Sequence, residues 1–459
     1  MKKKYLYMLM ILAGLTLLPG CGGEGSPADT ADTGSKVETV SDETEDEDET
    51  GGEDTATGDT DSESDDTDMA ADSDDTSDSV SAYVDPLMFS SERISNTYYS
   101  EEQDMIIAEA YATKLRCLND EYPGLKEAIE NYSLENEYYV TDNFQELTDM
   151  AVDTNGEEYW SDGVCLYEDW YTDVYRADGD VVSLITNYTD YLGGAHGSYY
   201  TYTANFDTAT GDRLHIYDVI NEDEFDSLFD ILEDELIDRY TADIFFSDID
   251  LSDTIESSYD YAEDLYFVLG YEGITFYFQI YELSPYASGS QHITLRYEDY
   301  PDLVKSRYLP KAPYDTDYMI NSWLLGGFLP DGETEYYTYS YIKEGTENDP
   351  VYLLTIACGD NIYEDEFGGE VLSTYFVSKD GGYYLLAEID DKANGRLIRE
   401  YAVSDEQIKF MADFEGGFGT YIPTTPESFR IYDIGDDVSI SDTYMTYTMD
   451  EDGIITADE

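Results

Sequence analysis

The run from Glu24 to Val80 decides where a fold can begin. It is built almost wholly from Asp, Glu, Ser, Thr, Gly and Ala, with 23 carboxylates, one lysine and no aromatic residue. Such a segment cannot bury enough apolar surface to offset the entropy of ordering its backbone, so disorder is expected. As a flexible chain it would span about 40 Å root-mean-square, and charge repulsion extends it further. A calcium-binding tail would need ordered ligand geometry that this repetitive run does not supply. Residues 22–84 therefore read as an acidic tether.

What precedes the tether is a leader. Lys2, Lys3 and Lys4 are followed by a short apolar run from Tyr5 to Leu18, the pattern of a secretory signal peptide. Leu18-Pro19-Gly20-Cys21 closes residues 1–21 in the manner of a bacterial lipobox, although Pro19 is an unusual choice. An ordinary signal with a chance cysteine is the plainer alternative. Lipid attachment at Cys21, palmitate included, predicts a protein anchored to the cell membrane on its extracytoplasmic face. Each buried CH₂ of an acyl chain contributes about 0.8 kcal/mol to such an anchor. No later apolar run reaches the roughly 18 residues of a spanning helix.

The acidity continues beyond the tether. Setting aside its 23 acids and the four lysines up to Lys36, from totals of 105 acidic and 22 basic residues, leaves a net charge of about −64. Nucleic acid and anionic lipid are excluded as partners, because both are bound through positive charge. A cationic partner fits such a field, and so does a plain need for solubility. Beyond Cys21 the cysteines are Cys117, Cys165 and Cys358, an odd number that makes no complete disulfide framework. A Cys117–Cys165 pair and three buried thiols both remain open.

The aromatic-rich remainder has the texture of an α+β fold. A mostly antiparallel sheet with helices packed on it is expected over 85–309, divided into 85–180 and 181–309. An all-β meander or small barrel is expected over 310–459. Ile106 to Leu118 suits a strand or a helix. Pro123 opens a helix with Leu125, Ile129 and Tyr132 on one face. Strands are expected at Gly163–Tyr175, Val181–Asp190, Ser198–Phe206 and Arg213–Val219. Asn221 with Glu224 suggests a capping box, leading a helix whose stripe is Phe225, Leu228, Phe229, Leu232, Leu236 and Ile237. An acidic connection leads to strands at Leu265–Leu269, Ile274–Tyr281 and Ile293–Tyr297. In the C-terminal part Lys379-Asp380-Gly381-Gly382 reads as a hairpin turn.

Catalytic signals are weak. His196, His215 and His292 fall on different expected elements, no zinc spacing is present, and no metal or cofactor is expected. No G-x-S-x-G elbow accompanies the serines, and carboxylates are too abundant for any pair to stand out. Gly193-Gly194-Ala195-His196-Gly197 joins two expected strands rather than a strand and a helix, so it does not cradle phosphate. Three glycines in five positions instead permit positive φ and close backbone approach, which makes the pattern architectural.

Three motifs in order carry a resemblance over about Asp85 to Leu309. Tyr191-Leu192-Gly193-Gly194-Ala195-His196-Gly197 resembles the Y-x-G-G-A-H-G signature of the extracellular domain of the lysozyme-sensing anti-sigma factor of Gram-positive bacteria. That domain also accompanies some peptidoglycan deacetylases. Thr210-Gly211 with Leu214, Ile216 and Asp218 is similar to its second motif. Phe276, Phe278, Tyr281, Glu282, Pro285, Tyr286, Ala287 and Gly289 are similar to its third. The region around Glu121-Tyr122-Pro123 resembles the partner domain that usually comes first. Leu192 departs from the common threonine, and no deacetylase domain follows. The resemblance implies a non-catalytic binding module for a cationic protein, lysozyme being the candidate. Its binding loops would be Tyr191 to Gly197 together with Tyr281, Glu282, Pro285 and Tyr286. A peptidoglycan-binding or cell-wall-enzyme accessory module is the alternative, since tyrosine-rich strands can stack on sugars. A hydrolase is the least favoured.

Overall fold

The computed structural model describes residues 86–459 except 157–162, 248, 263, 326, 330–333, 347–348, 393, 435–442 and 459. The leader, Cys21 and the acidic tether lie outside the described residues.

The first sheet begins with a long antiparallel hairpin of β1 (Phe89–Ser100) and β2 (Met105–Cys117). Ile106–Leu118 is therefore a strand for almost all its length. Helices α1 (Pro123–Thr141) and α2 (Phe144–Asn155) cross over, so β3 (Leu166–Ala177) runs parallel to β2 with Ala108 opposite Leu166. β4 (Val181–Tyr191) and β5 (Ser198–Asp207) continue the sheet antiparallel. Pro123 sits in the first turn of α1, where its missing N–H costs nothing, and Leu125 and Ile129 are buried. On the same helix Tyr132 reaches the sheet, its hydroxyl 2.8 Å from that of Thr186. Ala108, Ala110 and Ala112 of β2 leave room for Phe144, Leu147 and Ala151 of α2 in one apolar cluster.

After β5 the expected strand Arg213–Val219 is only begun. Arg213 bridges to Phe206, and then Ile216–Val219 forms a single helical turn, α3. Side chains account for the change. Asp264 accepts the Ile216 N–H at 3.0 Å and Asp218 accepts the His215 N–H at 2.9 Å, so the backbone donors are satisfied without a partner strand. Asn221 is not a helix cap either. Its amide donates to the Asp302 carbonyl at 2.6 Å, and α4 (Leu228–Tyr240) starts later, behind a 3₁₀ turn at Phe225–Ser227. The apolar stripe does form: Leu228, Phe229, Leu232 and Leu236 are buried, while Ile237 turns outward. The acidic connection contains a further helix, α5 (Leu251–Ala262). The antiparallel sheet of β6 (Phe267–Leu269), β7 (Gly273–Phe278) and β8 (Gln291–Arg296) shares one apolar core with α4 and α5.

The C-terminal part consists of open antiparallel sheets, with no closed barrel among the described residues. One is ordered β16 (Ile408–Glu415), β15 (Gly395–Val403), β14 (Gly382–Asp391), β13 (Glu370–Lys379) and β9 (Tyr318–Asn321). A second is β10 (Tyr336–Thr346), β11 (Asp349–Cys358) and β12 (Asn361–Phe367). A third is β18 (Phe429–Tyr432), β19 (Tyr444–Met449) and β20 (Ile455–Ala457). Asp380 and Gly381, at φ +48° and +80°, make the hairpin turn between β13 and β14. Between these sheets, β17 (Tyr421–Ile422) pairs with β1, placing Ile422 opposite Phe89. One core joins Leu87, Phe89, Leu125 and Val182 to Val377, Leu386, Phe418 and Ile431, so the stretches on either side of residue 309 are packed together. No disulfide links the cysteines among the described residues, and Cys117 is a buried thiol.

Candidate binding loops

The first loop leaves β4 at Tyr191 and re-enters the sheet at Ser198, whose N–H is accepted by the Asp190 carboxylate at 3.0 Å. Its glycines serve two purposes. Gly193 and Gly194 have φ of +93° and +99°, conformations that an L side chain resists. Gly197 is needed for space, because a Cβ there would lie 2.0 Å from the Asp190 carbonyl oxygen. The Tyr191 hydroxyl donates to the Gly194 carbonyl at 3.0 Å and closes the loop on itself. Ala195 and His196 stand exposed at its tip, with His196 Nδ1 2.9 Å from the Gly197 carbonyl.

The second loop follows β7. Gln279 fastens it to β5 by accepting the Thr201 N–H at 2.9 Å and donating to the Thr201 carbonyl at 2.7 Å. Tyr281 then takes φ +66° and points into solvent. Glu282 turns inward and accepts the Gln279 N–H at 2.7 Å, and burial raises its carboxyl above the usual range. Pro285 starts a 3₁₀ turn over Tyr286–Ser288, which ends at Gly289 with φ +78°.

Tyr286 joins the loops. Its hydroxyl donates to the Gly197 carbonyl at 2.9 Å, and its ring stacks on His196 with centroids 4.0 Å apart. Tyr281 and Tyr199 lie 5.7 and 5.9 Å from the same ring. The structure thus brings His196, Gly197, Tyr281 and Tyr286 into one surface. Tyr191, Gly193 and Gly194 shape it, Ala195 and Pro285 flank it, and Glu282 braces it from below. Gln279, Tyr199 and Asp190 belong to the same assembly and were not singled out in the sequence. The Asp190–Gly197 closeness had a trace there in the glycine just before the returning strand.

The other histidines lie elsewhere. His215 Nδ1 is 2.7 Å from Asp264, at the start of α3. His292 on β8 is half-buried, 3.3 Å from the Arg239 guanidinium; desolvation first, and then that positive charge, push it down to about 3. Among the described residues no group of three or more His, Cys, Asp or Glu is placed to hold a metal ion. No described helix is long and apolar enough to cross a membrane.

A second feature lies on the α1-bearing face of the first sheet. Trp170, Tyr188 and Tyr200 stand opposite one another on β3, β4 and β5, with ring centroids 4.3 and 6.1 Å apart. Tyr139 of α1 stacks on Trp170 at 4.5 Å. In the next row Glu168 faces Asp190, and burial followed by that neighbouring carboxylate raises Glu168.

A family model described as "Protein of unknown function (DUF3298)" matches residues 217–298. Residues 217–298 are a DUF3298 domain. It runs from α3 through β8, so it carries the Tyr281–Gly289 loop, while the glycine loop lies before it. A solved DUF3298-family structure from Bacteroides fragilis is similar at 22% identity, covering 48% of this chain and 94% of that one, with a TM-score of 0.38. Another, from Pseudomonas aeruginosa PAO1, is similar at 15% identity over 50% of this chain and 98% of that one, with a TM-score of 0.35. No curated protein matches the chain.

Proposed function

We propose that this chain is a non-catalytic, lipid-anchored surface protein whose two joined loops bind a cationic protein, with lysozyme the candidate implied by the sequence resemblance. One observation carries the reading. Tyr286 ties the DUF3298 loop to the glycine loop and leaves Ala195, His196, Tyr281 and Pro285 facing outward as a single patch. That patch sits in a part of the chain with a net charge of about −64. Aromatic anchors give shape selectivity, and the field steers a cationic partner toward them.

Biolayer interferometry of the full chain against lysozyme, and against an equally cationic protein of unrelated shape, tests the proposal at low and high salt. Binding to lysozyme that persists in salt, and that falls at least tenfold in Tyr281→Ala with Tyr286→Ala, is the expected result. Equal binding to both proteins that salt abolishes would reduce the interaction to generic charge. A second reading, a cell-wall glycan module, draws on the half-exposed ring of Tyr200 at the end of the aromatic row, since Tyr188 is buried and Tyr139 covers Trp170. A pull-down on purified peptidoglycan that recovers no protein would remove it.

A further inference from the structure

The three-stranded sheet β10-β11-β12 uses its two faces differently. One face, with Tyr336, Leu354, Ile356, Cys358 and Phe367, is buried in a core shared with β13 to β15. The strand registers set three rows on the other face: Tyr337, Ala357 and Ile362; Tyr339, Thr355 and Glu364; Tyr341, Leu353 and Glu366. Here the edge strand β10 carries a ladder of tyrosines. Neighbouring rings are 6.0 and 5.9 Å apart, with planes only 20° and 15° from parallel. Tyr339 and Tyr341 remain 40% and 39% exposed. Glu364 and Glu366 are exposed on the far strand, Glu366 meeting Lys343, and Glu335 contributes to raising the Tyr337 hydroxyl, after burial and Tyr339. In the centre Leu353, Thr355 and Ala357 are buried, and among the described residues the Thr355 hydroxyl has no hydrogen-bond partner. β10 lies at the end of its sheet's strand order.

We infer that this face is a docking strip for an extended basic polypeptide segment bearing Arg or Lys at every second residue. The rings recur at the two-residue step of a strand, roughly 6.6 Å. A partner in the same extended conformation presents its own same-face side chains at that step, so each cation meets one ring. The edge of β10 offers backbone groups for strand addition, which fixes the register. Charge decides between occupants. The strip is acidic within an acidic protein, so a basic segment is complementary and an anionic polymer is repelled. A neutral glycan would use the rings but gain nothing from the carboxylates' charge. The inference is independent of the loop site, which lies on other strands.

The test is fluorescence anisotropy of the full chain with two synthetic peptides of identical composition, one alternating Arg and Thr, the other with the same residues in two blocks. The alternating peptide is expected to bind at least tenfold more tightly. Tyr339→Ser with Tyr341→Ser should remove that preference, and Glu364→Gln should weaken binding with the tyrosines intact. Tyr281→Ala with Tyr286→Ala should leave it unchanged, which separates this strip from the loops. Circular dichroism checks that each variant keeps its fold. Equal affinity for the two peptides overturns the inference. Binding of a neutral chito-oligosaccharide that depends on Tyr339, with no preference for the alternating peptide, overturns it in favour of a glycan strip.

Discussion

Gly194 and Gly197 are three residues apart and would receive a side chain very differently. Gly194 has φ +99° but open space around it, so the cost of Gly194→Ala is conformational, about 1–2 kcal/mol. Gly197→Ala would press a methyl group against the Asp190 carbonyl, 2.0 Å away, and the two strand ends would have to part. A loss of ~2–4 kcal/mol is expected there, and urea unfolding of the two variants should rank them in that order. Tyr286→Phe keeps the ring on His196 but removes the hydroxyl's hydrogen bond to the Gly197 carbonyl, which His196 Nδ1 still faces at 2.9 Å, so a cost near 1 kcal/mol is expected in the same assay. The glycine roles were legible in the sequence because φ and close approach are local properties. Tyr286 as the partner of Gly197 was not, because 89 residues separate the two and only the packing of the sheets brings them together.

At the scale of elements, legibility followed how much of each element's reason lies within itself. Helix α4 could be read because Leu228, Leu232 and Leu236 repeat on one face. Helix α5 was hidden in an acidic, Ser-rich stretch where Leu251 and Ile255 are its buried anchors, although Asp250 accepts the Asp253 N–H at its start. Strand β1, with most of its residues exposed or half-exposed, exists because β2 pairs with it along its whole length. The turn α3 replaced an expected strand because its governing residue, Asp264, comes 48 residues after Ile216. Gln279 gives a test at this scale. It mimics a strand partner for Thr201, so Gln279→Ala should speed exchange of the Thr201 amide by at least tenfold and leave the centre of β4 protected. Hydrogen exchange with residue resolution would measure it.

Across the whole molecule, two desolvated groups, Glu400 and His292, make stability depend on pH in opposite senses. Burial and then Asp450 raise Glu400 from 4.5 to about 8, so the fold holds its proton more tightly than the unfolded chain does. Its contribution is full below pH 4.5 and is lost as pH rises toward 8. Glu400→Gln should therefore be more stable than the parent at pH 8, by ~1–3 kcal/mol, with little difference at pH 4. His292 runs the other way. Its ordinary value of 6.5 falls to about 3, so its contribution is present above pH 6.5 and is lost as pH falls through 3. Self-repulsion adds a salt effect, and moderate salt should raise the melting temperature of the unliganded protein. Scanning calorimetry across pH and salt would register each of these trends.

The pairing of β17 with β1 also sets an order in time. The Thr424 hydroxyl donates to the Leu87 carbonyl across 337 positions of sequence, and Ile422 closes the edge at Phe89. A ribosome that has delivered the chain as far as residue 400 has still not made the strand its first strand is waiting for. Completion of the first sheet therefore waits until residues 421 and 422 are available, and until then the Phe89–Ser90 end of β1 has no strand partner on that edge.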